Sequence, residues 1–153
     1  MDIKRKLITK ISLAILLTLV IFSVADAQYA AQAKRAINTV STLYKAHKKK
    51  SIAAWNKVEL KKYFDSKLAN AIYKVTHGKE GIDFDILYDT QDDSDIKNFK
   101  ITGGDFYHDE YLVSVGFKSF GEEKNISFHL NKAFKIEAVE YTGGGSLIDI
   151  LTT

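Results

Sequence analysis

The stretch Glu110–Phe120, "EYLVSVGFKSF", alternates apolar and polar side chains, with Tyr111, Val113, Val115 and Phe117 on one side and Leu112, Ser114, Gly116 and Lys118 on the other. A two-residue period belongs to a strand with one buried face, because successive side chains point to opposite sides of a sheet. "NISFHLNK" repeats the pattern, with Ile126, Phe128 and Leu130 inward and Ser127, His129 and Asn131 outward. "FKIEAVEY" reads the same way, with Phe134, Ile136 and Ala138 inward. Turn residues separate these runs: "TGGD" at 102–105, "FGEEKN" at 120–125 and "LNKAF" at 130–134. The pattern predicts an antiparallel meander of about four strands whose single apolar face needs a cover.

Upstream, the period changes from 2 to about 3.6 residues. Between Ala30 and His47 the apolar positions Ala33, Ile37, Val40, Leu43 and Tyr44 recur at helical spacing, which predicts a helix with one buried stripe. "HKKKS" interrupts it. A second helix is expected over about Lys57–Thr76, burying Leu60, Phe64, Leu68, Ala71, Ile72 and Val75 and stopping near Gly78. Two helices followed by strands define an α+β domain, with N-terminal helices packed on one face of a curved antiparallel sheet of about four strands.

The first 27 of the 153 residues stand apart. A basic start, "MDIKRKLITK", an apolar run, "ISLAILLTLVIFSV", and the small residues of "ADA" compose an export signal, with cleavage expected after Ala27 and a single domain from 28 to 153. A retained membrane anchor is the rival reading. The apolar run is shorter than the ~20 residues that span a bilayer, so a secreted or periplasmic protein is expected. The chain has no cysteine and no proline. Thiolate chemistry and Cys-based zinc sites are thereby excluded, and apolar burial must hold the fold without disulfides.

Charge is strongly segregated. Residues 28–79 carry 12 Lys and Arg against 2 acids, whereas residues 80–153 carry 6 against 15. The separation argues against nucleic acid, which calls for a broad positive field. It favours two structural layers of opposite sign, which make the protein a dipole.

The order of elements, together with "VSTLYKAH" at 40–47 and "FKIEAVEYTGGGSLIDIL" at 134–151, resembles the cystatin-like and nuclear-transport-factor-2-like folds. More narrowly, the chain resembles small secreted bacterial domains of unknown function that share an aromatic-containing first helix, an acidic "D-x-x-Y-D-T-Q-D"-like segment, here Asp85–Asp92, and a last strand of the form "I-x-x-V-x-Y", here Ile136–Tyr141. The resemblance implies a sheet curled around a helix, leaving a pocket that different members use for catalysis, for ligands or for gripping a protein. The Q-x-V-x-G loop of the protease-inhibiting cystatins is absent, so that activity is not carried over.

Candidate chemistry is sparse. "ILYDTQDDSD" at 86–95 gathers Asp89, Asp92, Asp93 and Asp95, but it lacks the spacing, the glycine and the closing Glu of a calcium loop. Aspartates capping their own backbone amides, or a surface for a basic partner, are the remaining readings. A general base would need Asp85 or Asp89 in an apolar pocket beside Tyr44 or Tyr88. His47, His77, His108 and His129 never take the i, i+4 spacing of a helical zinc pair and read as surface residues. "TGGGSL" at 142–147 reads as a flexible turn rather than a phosphate cradle. The basic run Lys45–Ser51 ends the first helix, where cations favour the negative dipole end and where an acidic surface can dock.

These observations point to an exported, non-enzymatic binding domain, an inhibitor or immunity-type factor for a protein partner in the cell envelope. The alternative is a small-molecule binder or enzyme using the helix–sheet pocket. The candidate partner-binding residues are Lys48, Lys49, Lys50, Trp55, Tyr88, Asp89, Asp92, Asp93 and Asp95. No catalytic residue, metal or cofactor is expected, and membrane contact is expected only through an uncleaved leader.

Overall fold

The computed structural model describes residues 2–78, 81, 84–90 and 95–152, with side chains from residue 26 onward. The chain divides into two units, Met1–Gln32 and Ala33–Thr153. Helix α1 (Asp2–Lys49) supplies the helical backbone of the first unit and residues 33–49 of the second. The second unit is α+β: helices packed against an open four-stranded antiparallel sheet. It continues with a short 3₁₀ turn (Ile52–Ala54), α2 (Lys57–Tyr63), α3 (Ser66–Thr76), β1 (Lys97–Tyr107), β2 (Glu110–Ser119), β3 (Glu122–Leu130), β4 (Ile136–Tyr141) and α4 (Leu147–Thr152).

The strands pair in the order β1-β2-β3-β4, a simple meander. Val113 faces Phe128 and Val115 faces Ile126 across β2 and β3. These residues, with Tyr111, Phe117 and Leu130, are buried on the covered face. The alternation expected of both strands therefore holds. Tight two-residue turns join β1 to β2 and β2 to β3, with His108 and Asp109 at φ 47° and 70°, and Phe120 and Gly121 at 49° and 88°. Positive φ at both central residues matches the twist of the flanking strands. The second turn is thus shorter than "FGEEKN" suggests, and Glu122 already belongs to β3.

Two other expectations are corrected in the sheet. "TGGD" does not separate strands: it lies within β1, at an irregularity in pairing between Gly103 and Asp105. Gly103 and Gly104 have φ of +94° and +92°, and a Cβ on Gly104 would sit 2.6 Å from the Ala33 carbonyl oxygen. Glycine is needed because the helix backbone presses on the strand, a bulge rather than a turn. In β4 the inward residues are Ile136, Val139 and Tyr141, with Ala138 only half-buried. A shift in pairing opposite His129 and Leu130 changes the phase of the strand after Ile136.

The expected second helix is two helices. Phe64 is extended, pairs in parallel with Ile136 and is buried. Asp65 then starts α3 by accepting a hydrogen bond from Leu68 N at 2.7 Å, and its own N–H donates to Ile136 O. A good N-cap and a buried aromatic outweigh the continuous apolar stripe. Ahead of α2, Asn56 Oδ1 accepts from Val58 N and Glu59 N, while Glu59 Oε2 accepts from Asn56 N, a reciprocal cap. On α1, Ala36, Val40, Leu43, Tyr44 and His47 form the buried stripe. Tyr44 meets Phe128 of the sheet edge-on, with ring centres 6.0 Å apart. After the glycines at 143–145, α4 buries Leu147 and Leu151, an element that the sequence pattern did not reveal.

Candidate functional site

Two places gather the polar chemistry of the second unit. The first is the turn at Asp85–Thr90, closed by Asp85 N donating to Thr90 O. Asp85 Oδ1 accepts from Leu87 N at 2.8 Å, an aspartate cap one residue ahead of the segment in which capping was expected. Its other oxygen meets His47 Nε2 at 2.6 Å. Tyr44 donates its hydroxyl to Leu87 O at 2.6 Å, and Tyr141 donates to Ile86 O at 2.9 Å. The turn is therefore held by the end of α1 on one side and the end of β4 on the other. "VSTLYKAH", the Asp85 segment and "I-x-x-V-x-Y" meet here, although they lie far apart in the chain.

His47 is 6% exposed, a correction to its reading as a surface residue. It follows Leu43 and Tyr44 at helical spacing, so the same stripe that buries them buries it. Its Nδ1 accepts from Ile52 N at 3.1 Å, so the ring proton sits on Nε2 and is donated to Asp85. Both ring nitrogens are committed. The pair resembles a catalytic dyad in composition, but the His47 imidazole has no lone pair left to take a proton from a substrate. Burial, then neighbouring Tyr88 and Asp85, pushes the Tyr44 phenol well above its ordinary pKa. Burial, then Asp89 and Asp85, does the same for Tyr141. Both hydroxyls remain protonated donors to backbone carbonyls, which makes the cluster a clasp.

The second place is the junction of α1 and α2. A cleft of about 170 Å³ is lined by Ala46, Lys49, Lys50, Trp55, Glu59, Lys62 and Tyr63. Trp55 and Tyr63 stand 5.5 Å apart, tilted by 34°. Trp55 Nε1 donates to Lys50 O at 2.8 Å, which fixes the indole. Glu59 takes Lys50 Nζ on both carboxylate oxygens at 2.8 Å. That bond, then the Asn56 backbone N–H, holds the Glu59 carboxyl below its ordinary pKa. Lys49 and Lys62 have no carboxylate partner within salt-bridge distance among the described residues.

The expected binding residues separate into groups. Lys48, Lys49 and Lys50 are exposed, and Lys48 Nζ lies 5.9 Å from the centre of the Phe99 ring. Trp55 is 3% exposed and Tyr88 2%, so neither projects as a surface anchor. Trp55 packs into the core while reaching the cleft, and Tyr88 packs edge-on against Tyr44 and Phe117. Asp89 is half-buried in the clasp turn with φ 50°. Asp92 and Asp93 lie outside the described residues. Asp95 accepts from Phe120 N at 2.9 Å and pairs with Lys97, whose hydrogen bond lowers the Asp95 pKa. It pins a hairpin and makes no ion pair with the lysines of α1.

Sequence reasoning missed Glu59 and Lys62, and it noted Tyr63 only as one of several aromatics beside charged residues. Asn56 and Glu59 at three-residue spacing do carry a legible helix-start signal, which would have placed Glu59 beside the end of α1. Elsewhere, His129 on the uncovered face of the sheet contacts Glu110 and Glu140 at 2.9 and 3.4 Å, and His77 and His108 are exposed. Among the described residues no three His, Asp or Glu side chains form a group able to hold a metal ion. No protein-family model, curated protein or solved structure matches the chain.

Proposed function

We propose that this chain is an exported, non-enzymatic binding domain of cystatin-like or nuclear-transport-factor-2-like architecture. It grips an acidic protein partner in the cell envelope, as an inhibitor or immunity-type factor. The observation that carries the reading is the basic surface where α1 meets α2: Lys45, Lys48, Lys49, Lys50, Lys57, Lys61 and Lys62 are all exposed, and Glu59 is the one acid among them. Cations grouped in this way raise the rate and selectivity of encounter with a negative surface. The leader of residues 1–27 supports export. The commitment of both His47 nitrogens supports a structural role for the His47–Asp85 pair and leaves binding the stronger reading.

The full chain, immobilised and exposed to envelope extract at low salt, should retain one acidic protein that elutes as salt rises. Lys48→Glu/Lys49→Glu/Lys50→Glu should lose it. Retention by that variant at undiminished yield, or no retained protein with the native chain, would overturn the proposal.

A further inference from the structure

The α1–α2 cleft has a size and a donor set that narrow the chemistry of its occupant. At about 170 Å³ it is smaller than the roughly 300–1,000 Å³ of sites that enclose whole small molecules. It fits one or two side chains. Its walls are the Trp55 and Tyr63 rings, and its uncommitted donors are ammonium groups. The indole N–H is bound to Lys50 O, Tyr63 reaches Thr42 O at 3.4 Å, and Lys50 is clamped by Glu59. That leaves Lys49 and Lys62.

Two lysines and two aromatic rings lining one cleft suit a carboxylate on a short apolar stem, whose methylenes would meet the rings while its oxygens accept from the lysines. A phosphoryl group is matched less well. It carries more acceptor oxygens and is best met by backbone N–H groups or a guanidinium fork, and the cleft lining includes no arginine. Glu59 sets the pattern internally, because its own carboxylate already takes Lys50 in the same corner.

We infer that the cleft is a subsite for a glutamate or aspartate side chain of an acidic protein segment, held by Lys49 and Lys62 against Trp55 and Tyr63. This rests on the acidic-partner reading and specifies where the segment enters. The flanking Lys45, Lys48, Lys57 and Lys61 take neighbouring carboxylates of the same segment. Exposed ion pairs are individually weak, so several must act together.

Trp55 is the one tryptophan of the chain, so its emission reports the cleft directly. The full chain is titrated with a hexaglutamate peptide at low salt, following Trp55 emission and, separately, the anisotropy of labelled peptide. The expected result is a saturable emission change, weakened about tenfold in Lys49→Glu/Lys62→Glu. The change should persist in Lys100→Glu/Lys118→Glu, an equal charge change on the sheet. Lys49→Ala/Lys62→Ala, with far-ultraviolet circular dichroism confirming the fold, should give the same direction of loss.

If peptide binds by anisotropy while Trp55 emission stays flat and the Lys49/Lys62 variants keep full affinity, the subsite is wrong and the acidic-partner reading stands. If peptide fails to bind in either readout, both fall. An equal emission change from inorganic phosphate at matched charge would overturn the carboxylate assignment.

Discussion

The clasp at Asp85–Tyr88 and the cleft at the α1–α2 junction lie at opposite ends of a short run of chain, since His47 serves the first and Lys49 the second. Their polar groups are in opposite states. In the clasp, each named donor has an acceptor: His47 Nε2 meets Asp85, Ile52 N meets His47 Nδ1, and both tyrosine hydroxyls meet carbonyls. In the cleft, Lys49 and Lys62 are exposed and make no salt bridge among the described residues, although the Lys62 charge helps keep Glu59 ionised. A hydrogen-bonded, largely buried network stabilises one arrangement, and its imidazole and tyrosine hydroxyls are already committed. An exposed, unpaired set of cations contributes little to stability and keeps its capacity for a partner.

The comparison breaks most visibly at Asp85. Asp85→Ala strands the His47 N–H and the Leu87 amide, and should lower unfolding free energy by about 3 kcal/mol, read from urea denaturation. A loss below about 1 kcal/mol would mean that the clasp is not a stabilising network. Next comes Gly104→Ala, which sets a Cβ against the Ala33 carbonyl at a φ of +92°. It should cost about 2 kcal/mol by the same measurement. Tyr141→Phe removes one buried hydrogen bond without changing shape and should cost about 1 kcal/mol.

The cleft should give a smaller signal of another kind. Glu59 has a lowered pKa, so its contribution is fully present above its ordinary value of 4.5 and is lost as pH falls through the depressed folded value. The difference in urea midpoint between the native chain and Glu59→Gln should therefore shrink on acidification below that value. A difference that grows instead would contradict the Lys50–Glu59 pairing. Smallest of all, Lys49→Glu/Lys62→Glu should leave unfolding free energy within about 0.5 kcal/mol of the native chain.

How much of this was legible depended on whether the deciding contact was local. Tyr111–Phe117 and Ile126–Leu130 were readable because one face is core and the other solvent for their whole length. Ala138 was misjudged because a bulge, set by the partner strand, shifts the phase of β4 by one residue. The stripe Leu60, Phe64, Leu68, Ile72 runs at four-residue spacing straight through the α2–α3 break, so periodicity concealed it. Only Asp65 as a cap could have revealed it. Gly103 and Gly104 read as a turn because glycine marks turns and close approaches alike, and the approaching Ala33 lies about seventy residues earlier. His47 could have been placed by extending the α1 stripe one more turn, but its partner Asp85 is 38 residues away and left no trace in spacing.

The most direct test compares hexaglutamate affinity in two folded variants, Asp85→Ala and Lys49→Glu/Lys62→Glu, under conditions where circular dichroism shows both native. The expected result is unchanged affinity in the first, despite its lowered stability, and about tenfold weaker binding in the second. Weakened binding in Asp85→Ala with the lysine variant unaffected would place recognition at the clasp and contradict the division of roles.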